Sequence, residues 1–216
     1  MEQAILKPWQ EKVIALVAGE PKLSDFYLAG GTALAAYYLR HRFSDDLDFF
    51  CFDEADNVFI RAFAEQIKKE IGAKNARYER LYDRNQYFFN VGQEALKVEF
   101  SHYPFKQLEN AEPVDGLKVD SFRDIAANKL MALLDRFDPK DFADLFFILK
   151  KTKLADVRKD VALKFDIKID DIFLGGELAK VKRIAALPKM IKPLTIAALK
   201  QFFSDRAREL APEIFK

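Results

Sequence analysis

Two aspartates one residue apart, Asp46 and Asp48, stand in the run Ser44-Asp45-Asp46-Leu47-Asp48-Phe49-Phe50. In an extended strand alternate side chains share a face, so these two point one way while Leu47 and Phe49 point the other. Two carboxylates on one face repel unless a cation lies between them. Hard oxygen donors of this kind suit a magnesium ion that also binds phosphate. Upstream, Gly30-Gly31-Thr32 separates a short apolar run from a helix of small residues. Such a turn can aim backbone N–H groups at phosphate oxygens, helped by the helix dipole and the Thr32 hydroxyl. The plain alternatives are a solvated edge strand and an ordinary glycine turn. Their pairing within one short stretch, with apolar residues flanking the acids, points to a metal-bound triphosphate.

A third oxygen ligand is available in Leu96-Lys97-Val98-Glu99-Phe100. If that strand lies beside residues 47–52, Glu99 completes a triad with Asp46 and Asp48 that could clamp two ions for in-line phosphoryl chemistry. The alternative is that Glu99 pairs with Lys97, which points the same way, or faces water on an edge. Further on, Lys129 and Arg136 are seven apart on one helix face, and Asp141 and Asp144 are three apart on the next helix. Read from the residues alone, these acids are salt-bridge partners of those cations.

The elements that must position these groups follow from periodicity. Ile5, Trp9, Val13, Leu16 and Val17 mark a packing helix over residues 5–18, closed by Gly19 and Pro21. Residues 26–28 read as a strand, 32–40 as a helix and 47–52 as a second strand. Phe59, Phe63, Ile67 and Ile71 give an amphipathic helix over 54–71, ended by Gly72. Three strand-like runs follow at 76–82, 86–91 and 95–100. Residues 112–120 read as a linker. From Ser121 the pattern is helical, with Asp138-Pro139 opening a second helix and further helices near 153–163, 171–184 and 195–210. The expected fold is α+β: a mixed sheet with flanking helices, residues 1–118, followed by a helical C-terminal bundle, residues 119–216.

At 216 residues, half of them hydrophobic, the chain can bury a sizeable core, and a net charge of +1 excludes an extreme polyanion binder. That figure hides an asymmetry. Residues 1–150 carry 20 Lys plus Arg against 25 Asp plus Glu, and residues 151–216 carry 15 against 9. An acidic metal site facing a basic tail accounts for the split, and so do solvated helix faces. One cysteine, Cys51, rules out an internal disulfide framework, and with only His41 and His102 beside it a Cys/His zinc site is short of ligands. The N-terminal residues show no export signal, and no apolar run is long enough to span a membrane. The expected location is the cytoplasm.

Taken together, Gly30-Gly31-Thr32, the run His41-Arg42-Phe43-Ser44-Asp45-Asp46-Leu47-Asp48-Phe49, the acidic strand after it, and Lys129-Leu130, Arg136 and Pro139-Lys140-Asp141-Phe142-Ala143-Asp144-Leu145 resemble the DNA polymerase β-like nucleotidyltransferase superfamily. Within it the chain is most similar to the AbiEii family, which includes toxins of abortive-infection and toxin–antitoxin systems. The likeness covers residues 26–149. It implies a minimal nucleotidyltransferase sheet and transfer of a nucleotidyl group from an NTP to an acceptor hydroxyl, with RNA such as a tRNA end as a candidate acceptor. It implies two Mg2+ ions on Asp46, Asp48 and Glu99. Gly30, Gly31, Thr32, Arg42, Ser44 and Lys129 would bind the nucleotide, and Lys129, Asp141 and Asp144 would take catalytic roles. An antitoxin protein is an implied partner, and no membrane is. Two departures stand out: Lys140 occupies a position where arginine is usual, and Glu99 one where aspartate is frequent. The competing reading is a non-catalytic nucleotide-sensing or partner-binding module that keeps the fold. Lys180, Lys182 and Arg183 in the basic final third are a candidate phosphate track.

Overall fold

The structure is a computed structural model that describes residues 4–210; residues 1–3 and 211–216, the outermost parts of the two expected domains, lie outside it. The chain divides into two compact units, one of Met1–Tyr38 with Ser44–Ser121, the other of Leu39–Phe43 with Phe122–Lys216. The chain thus enters the second unit for five residues between the glycine turn and the aspartate strand, then returns.

The first unit is built on a seven-stranded mixed sheet. Its strands are β1 (Tyr27–Ala29), β2 (Asp46–Cys51), β3 (Ala76–Leu81), β4 (Arg84–Val91), β5 (Glu94–His102), β6 (Glu112–Val114) and β7 (Leu117–Val119), in the order β3-β4-β5-β2-β1-β7-β6. β2 runs parallel to β5 and β1 parallel to β7, and the other neighbours are antiparallel. Helices α1 (Pro8–Ala18) and α3 (Asn57–Glu70) flank the sheet. Proline at the first helical position opens α1, and the Asp56 side chain caps α3 by accepting from the backbone N–H of Val58 and Phe59, 3.0 Å each.

One sheet face is apolar and buried. Phe100 is its hub, stacked on Phe49 at 5.3 Å and met edge-on by Phe26 at 5.5 Å and by Phe63 of α3 at 6.3 Å. With Leu47, Phe49, Val98 and Phe100 facing this core, strand periodicity turns Asp46, Asp48, Lys97 and Glu99 to the opposite face.

Residues 112–120 do not form the expected linker. They carry the β6–β7 hairpin, which adds two strands to the sheet. Its turn is Asp115-Gly116, both with positive φ of 50° and 83°. Asp-Gly is the pair that a two-residue hairpin turn of this handedness favours.

The helix after β1 also differs from expectation. It begins at Gly30, as α2 (Gly30–Ala33), and continues as a wider π-helix over Leu34–Leu39.

The second unit is helical, with α4 (Phe122–Asp135), α5 (Pro139–Ile148), α6 (Leu154–Phe165), α7 (Asp171–Ala179), a 3-10 turn at Lys180–Arg183, and α8 (Ile196–Leu210). Phe142 and Phe203 meet edge-on at 5.2 Å in its core, beside Phe146 and Phe202 at 4.7 Å. The Leu39–Phe43 segment is fastened within this unit through backbone bonds from Phe43 to Lys189 and from Ile191 and Lys192 to His41. No helix among the described residues is long and apolar enough to cross a membrane.

Candidate active site

The residues singled out by their chemistry fall into two groups, one in each unit. In the first unit, β2 pairs with both β1 and β5, so Asp48 lies opposite Ala29 on one side and Glu99 on the other. Asp46 lies opposite Lys97. Gly30 follows directly on β1, and its backbone has φ of 69°, a left-handed conformation that glycine adopts without steric cost. The same position is crowded. A β-carbon at Gly30 would overlap Oδ2 of Asp48 and lie 3.3 Å from its Cγ. The Asp48 carboxylate is therefore seated directly against the glycine turn, and the Thr32 hydroxyl donates to the carbonyl of Asp46. Turn and acidic strand form one local structure.

Glu99 is in register with this pair, but its oxygens are engaged. Oε1 accepts from Arg84 Nε at 2.6 Å and from Ser101 Oγ at 2.7 Å. Oε2 accepts from Arg84 Nη2 at 2.8 Å and Gln86 Nε2 at 2.9 Å, and the Lys97 ammonium stands 2.8 Å from it. Burial by itself would raise the Glu99 pKa. The hydrogen bond from Arg84 and the charge of Lys97 instead bring it down to about 2. For Lys97, burial favours the neutral amine, and the charges of Asp48 and Glu99 more than reverse this. Its ammonium also lies 3.7 Å from Asp48.

The expected three-carboxylate metal cluster is accordingly not assembled. Among the described residues no group of three or more His, Cys, Asp or Glu side chains is arranged to hold a metal ion. Asp46 and Asp48 do fit an ion. They offer hard oxygen donors on one face of β2, with the Lys97 ammonium 3.7 Å from Asp48. Magnesium commonly takes one or two carboxylates and completes its shell with water and substrate phosphates. Glu99 does not fit as a ligand while Arg84 and Lys97 hold it.

In the second unit, Lys129, Asp141 and Asp144 come together with Arg42 and His41. Asp144, fully buried on α5, accepts from Arg42 Nε at 2.6 Å and Nη2 at 2.8 Å, and lies 2.7 Å from both His41 Nε2 and Lys129 Nζ. Asp141 takes Lys129 at 2.9 Å and Arg136 at 2.9 Å. Burial would push the Asp144 pKa up, but the Lys129 and Arg42 charges hold it well below the usual carboxylate range. Burial lowers the His41 pKa, which keeps the ring neutral. With Nε2 facing the carboxylate, the buried Nδ1 has no hydrogen-bond partner.

Arg42, for which the family resemblance implies nucleotide binding, is only 2 % exposed, and its fork is closed on Asp144 and on the carbonyl of Phe43. It braces the segment leading into β2 and is not presented to a ligand. Ser44 accepts from the Gln10 side chain through its carbonyl at 2.9 Å. In the candidate phosphate track, Lys180 pairs with Glu177 at 2.5 Å and Arg183 lies over the Phe137 ring at 4.5 Å.

Two participants had little signal in the sequence. Arg84 reads there as part of a break between strands, and only the register of β4 on β5 brings it to Glu99. His41 joins Asp144 across 103 residues of chain.

Comparison with known proteins gives the family and the fold. Residues 15–214 match the family described as "Nucleotidyl transferase AbiEii toxin, Type IV TA system". An uncharacterized protein of Aquifex aeolicus, aq_aa25, is 36 % identical over 165 residues, 74 % of this chain and 76 % of that protein. Among solved structures, JHP933 from Helicobacter pylori superposes with a TM-score of 0.57 at 23 % identity, covering 94 % of this chain and 90 % of that one. MenT4, a nucleotidyltransferase toxin of Mycobacterium tuberculosis H37Rv, gives 0.50 at 18 % identity, covering 87 % and 76 %. At these identities the superpositions establish the fold alone.

Proposed function

We propose that this chain, which belongs to the AbiEii nucleotidyl transferase toxin family of type IV toxin–antitoxin systems, moves a nucleotidyl group from a nucleoside triphosphate to an acceptor hydroxyl. The observation that carries this reading is the seating of the Asp48 carboxylate against Gly30, with Asp46 on the same face of β2. That arrangement places a carboxylate pair at the head of a glycine turn, where phosphate oxygens and a cation are wanted together.

In the proposed reaction the acceptor oxygen bonds to the α-phosphorus, the bond to the oxygen bridging to the β-phosphate breaks, and pyrophosphate leaves with the electron pair. The hydroxyl proton is lost to water. Gly30, Gly31 and Thr32 orient the triphosphate through the turn. Asp46 and Asp48 would hold Mg2+, which when bound polarises the phosphate and offsets the charge of the departing pyrophosphate. Lys97 adds a fixed positive charge beside Asp48. Asp144, with Lys129 and Arg42, holds the Leu39–Phe43 segment within the second unit, and Asp141 ties Lys129 and Arg136 to the same network.

The acceptor proposed is RNA, such as a tRNA end. The setting is the cytoplasm, the biological outcome is arrest of growth in a toxin–antitoxin or phage abortive-infection role, and an antitoxin protein opposes it. The basic balance of residues 151–216 supports a polyanionic acceptor. Incubation with each labelled triphosphate, magnesium and total RNA tests the chemistry, with Asp48→Ala as the inactive control. Induced expression in a bacterial host tests toxicity: growth should stop with the wild type and continue with Asp46→Asn. Equal arrest by both would remove catalysis as its cause.

A further inference from the structure

We propose that Glu99 is a positioning residue and not a metal ligand: it fixes the Lys97 ammonium beside Asp48 and holds the Arg84 guanidinium on the same sheet face, so that one divalent ion accompanies the triphosphate instead of two. This rests on the nucleotidyl-transfer reading above.

The first ground is satisfaction of the carboxylate. An ionised carboxylate offers about four lone-pair positions. Glu99, 1 % exposed, meets donors from Arg84 twice and from Gln86, Ser101 and Lys97, all within 2.9 Å. A metal ion at either oxygen would have to expel a guanidinium or an ammonium and then sit beside that displaced cation.

The second ground is register. Lys97 and Glu99 alternate on β5, with Asp46 and Asp48 opposite them on β2 and Gln86 opposite Glu99 on β4. The cations and the two aspartates therefore share one sheet face.

The third ground is charge. Asp46, Asp48 and Glu99 with Lys97 and Arg84 sum to a single net negative charge. One divalent ion brings it to a single net positive charge, the value that three bare carboxylates reach only with two ions. Lys97 and Arg84 thus stand in for the second ion. Arg84, whose side chain is 41 % exposed, is the one that triphosphate oxygens can reach most directly.

The test is Mn2+ titration of the intact chain by electron paramagnetic resonance, with a non-hydrolysable α,β-methylene triphosphate present. Nucleotide affinity is measured separately by calorimetry. The expected stoichiometry for wild type is one Mn2+ per chain. Glu99→Gln should keep its Mn2+ affinity within about threefold, whereas Asp48→Asn should lose about 100-fold or more. Nucleotide affinity should fall about tenfold or more in Glu99→Gln and in Lys97→Met, through lost charge-assisted contacts. Two Mn2+ per wild-type chain would overturn the proposal, whether or not the variants fold. So would a Glu99→Gln loss of Mn2+ affinity as large as that of Asp48→Asn, or nucleotide affinity unchanged in both Glu99→Gln and Lys97→Met. A wild type that binds neither Mn2+ nor nucleotide would overturn the nucleotidyl-transfer reading itself, and this proposal with it.

Discussion

Gly30→Ala separates the role of the glycine turn from mere foldability. Alanine at φ 69° costs about 1–2 kcal/mol relative to its preferred conformations. In a chain of this length each kcal/mol lowers Tm by about 2–4 °C, so the backbone effect alone amounts to about 2–8 °C. The second effect is local. The added methyl would overlap Oδ2 of Asp48 and crowd its Cγ and Cβ at 3.3 and 3.4 Å. β2 is held on both sides, by β1 and by β5, so the strand cannot retreat and the carboxylate has to rotate away. A misplacement of about 1 Å at a reacting centre costs about 100-fold in rate.

Gly72→Ala is the matched control, because Gly72 has φ of 68° with nothing within 4 Å of the added methyl. Both variants should lose similar thermal stability by calorimetry. Label transfer from an α-labelled triphosphate, assayed well below either Tm, should fall about 100-fold in Gly30→Ala only. Wild-type transfer by Gly30→Ala, or an equal loss in Gly72→Ala, would refute the argument that Asp48 depends on the bare turn.

The remaining predictions concern the buried charges and the thiol. Asp144→Asn leaves Arg42 and Lys129 buried without their shared counter-charge and should destabilise the protein by about 3–5 kcal/mol in urea unfolding; a wild-type midpoint would refute that reading. Glu99 titrates in the folded protein at about 2 against an ordinary 4.5, so its contribution is present above pH 4.5 and is lost as pH falls toward 2. That contribution is on the order of 3 kcal/mol. Acid unfolding should therefore be less steep across this interval in Glu99→Gln, and an identical slope would count against the Arg84 and Lys97 clamp. His41, neutral through burial, works in the same direction at milder acidity: its contribution is full above the unfolded value of 6.5 and declines as pH drops below it. Replacing His41 should flatten stability below that pH. Burial pushes the Cys51 thiol up to about 12, so it should react with a thiol reagent only once urea unfolds the chain, and rapid native-state labelling would contradict its placement.

What could be read from the sequence was what is local. Gly30, Asp46 and Asp48 lie close in the chain, and strand periodicity alone puts both aspartates on one face. The strand containing Glu99 is legible, and pairing with Lys97 stands as the alternative to metal binding, because both sit on β5 two residues apart. Its capture by Arg84 depends on how β4 registers against β5, which no local pattern encodes. The same limit applies to Arg42. The family resemblance implies a nucleotide-binding role for it, whereas a carboxylate 102 residues away claims its guanidinium. The β6–β7 hairpin is hidden for another reason: its strands are three residues each, too short for alternation to show, although the Asp115-Gly116 turn is itself a signal. The π-helical turn over Leu34–Leu39 has no sequence signature that periodicity detects.

The most direct test of nucleotidyl transfer compares two labels on the same triphosphate, incubated with magnesium, RNA and either wild type or Asp48→Ala. Wild type should pass the α-phosphate label, and not the γ-phosphate label, to an acceptor, and Asp48→Ala of unchanged fold should pass neither. Transfer of the γ label, or undiminished α-label transfer by Asp48→Ala, would contradict the account.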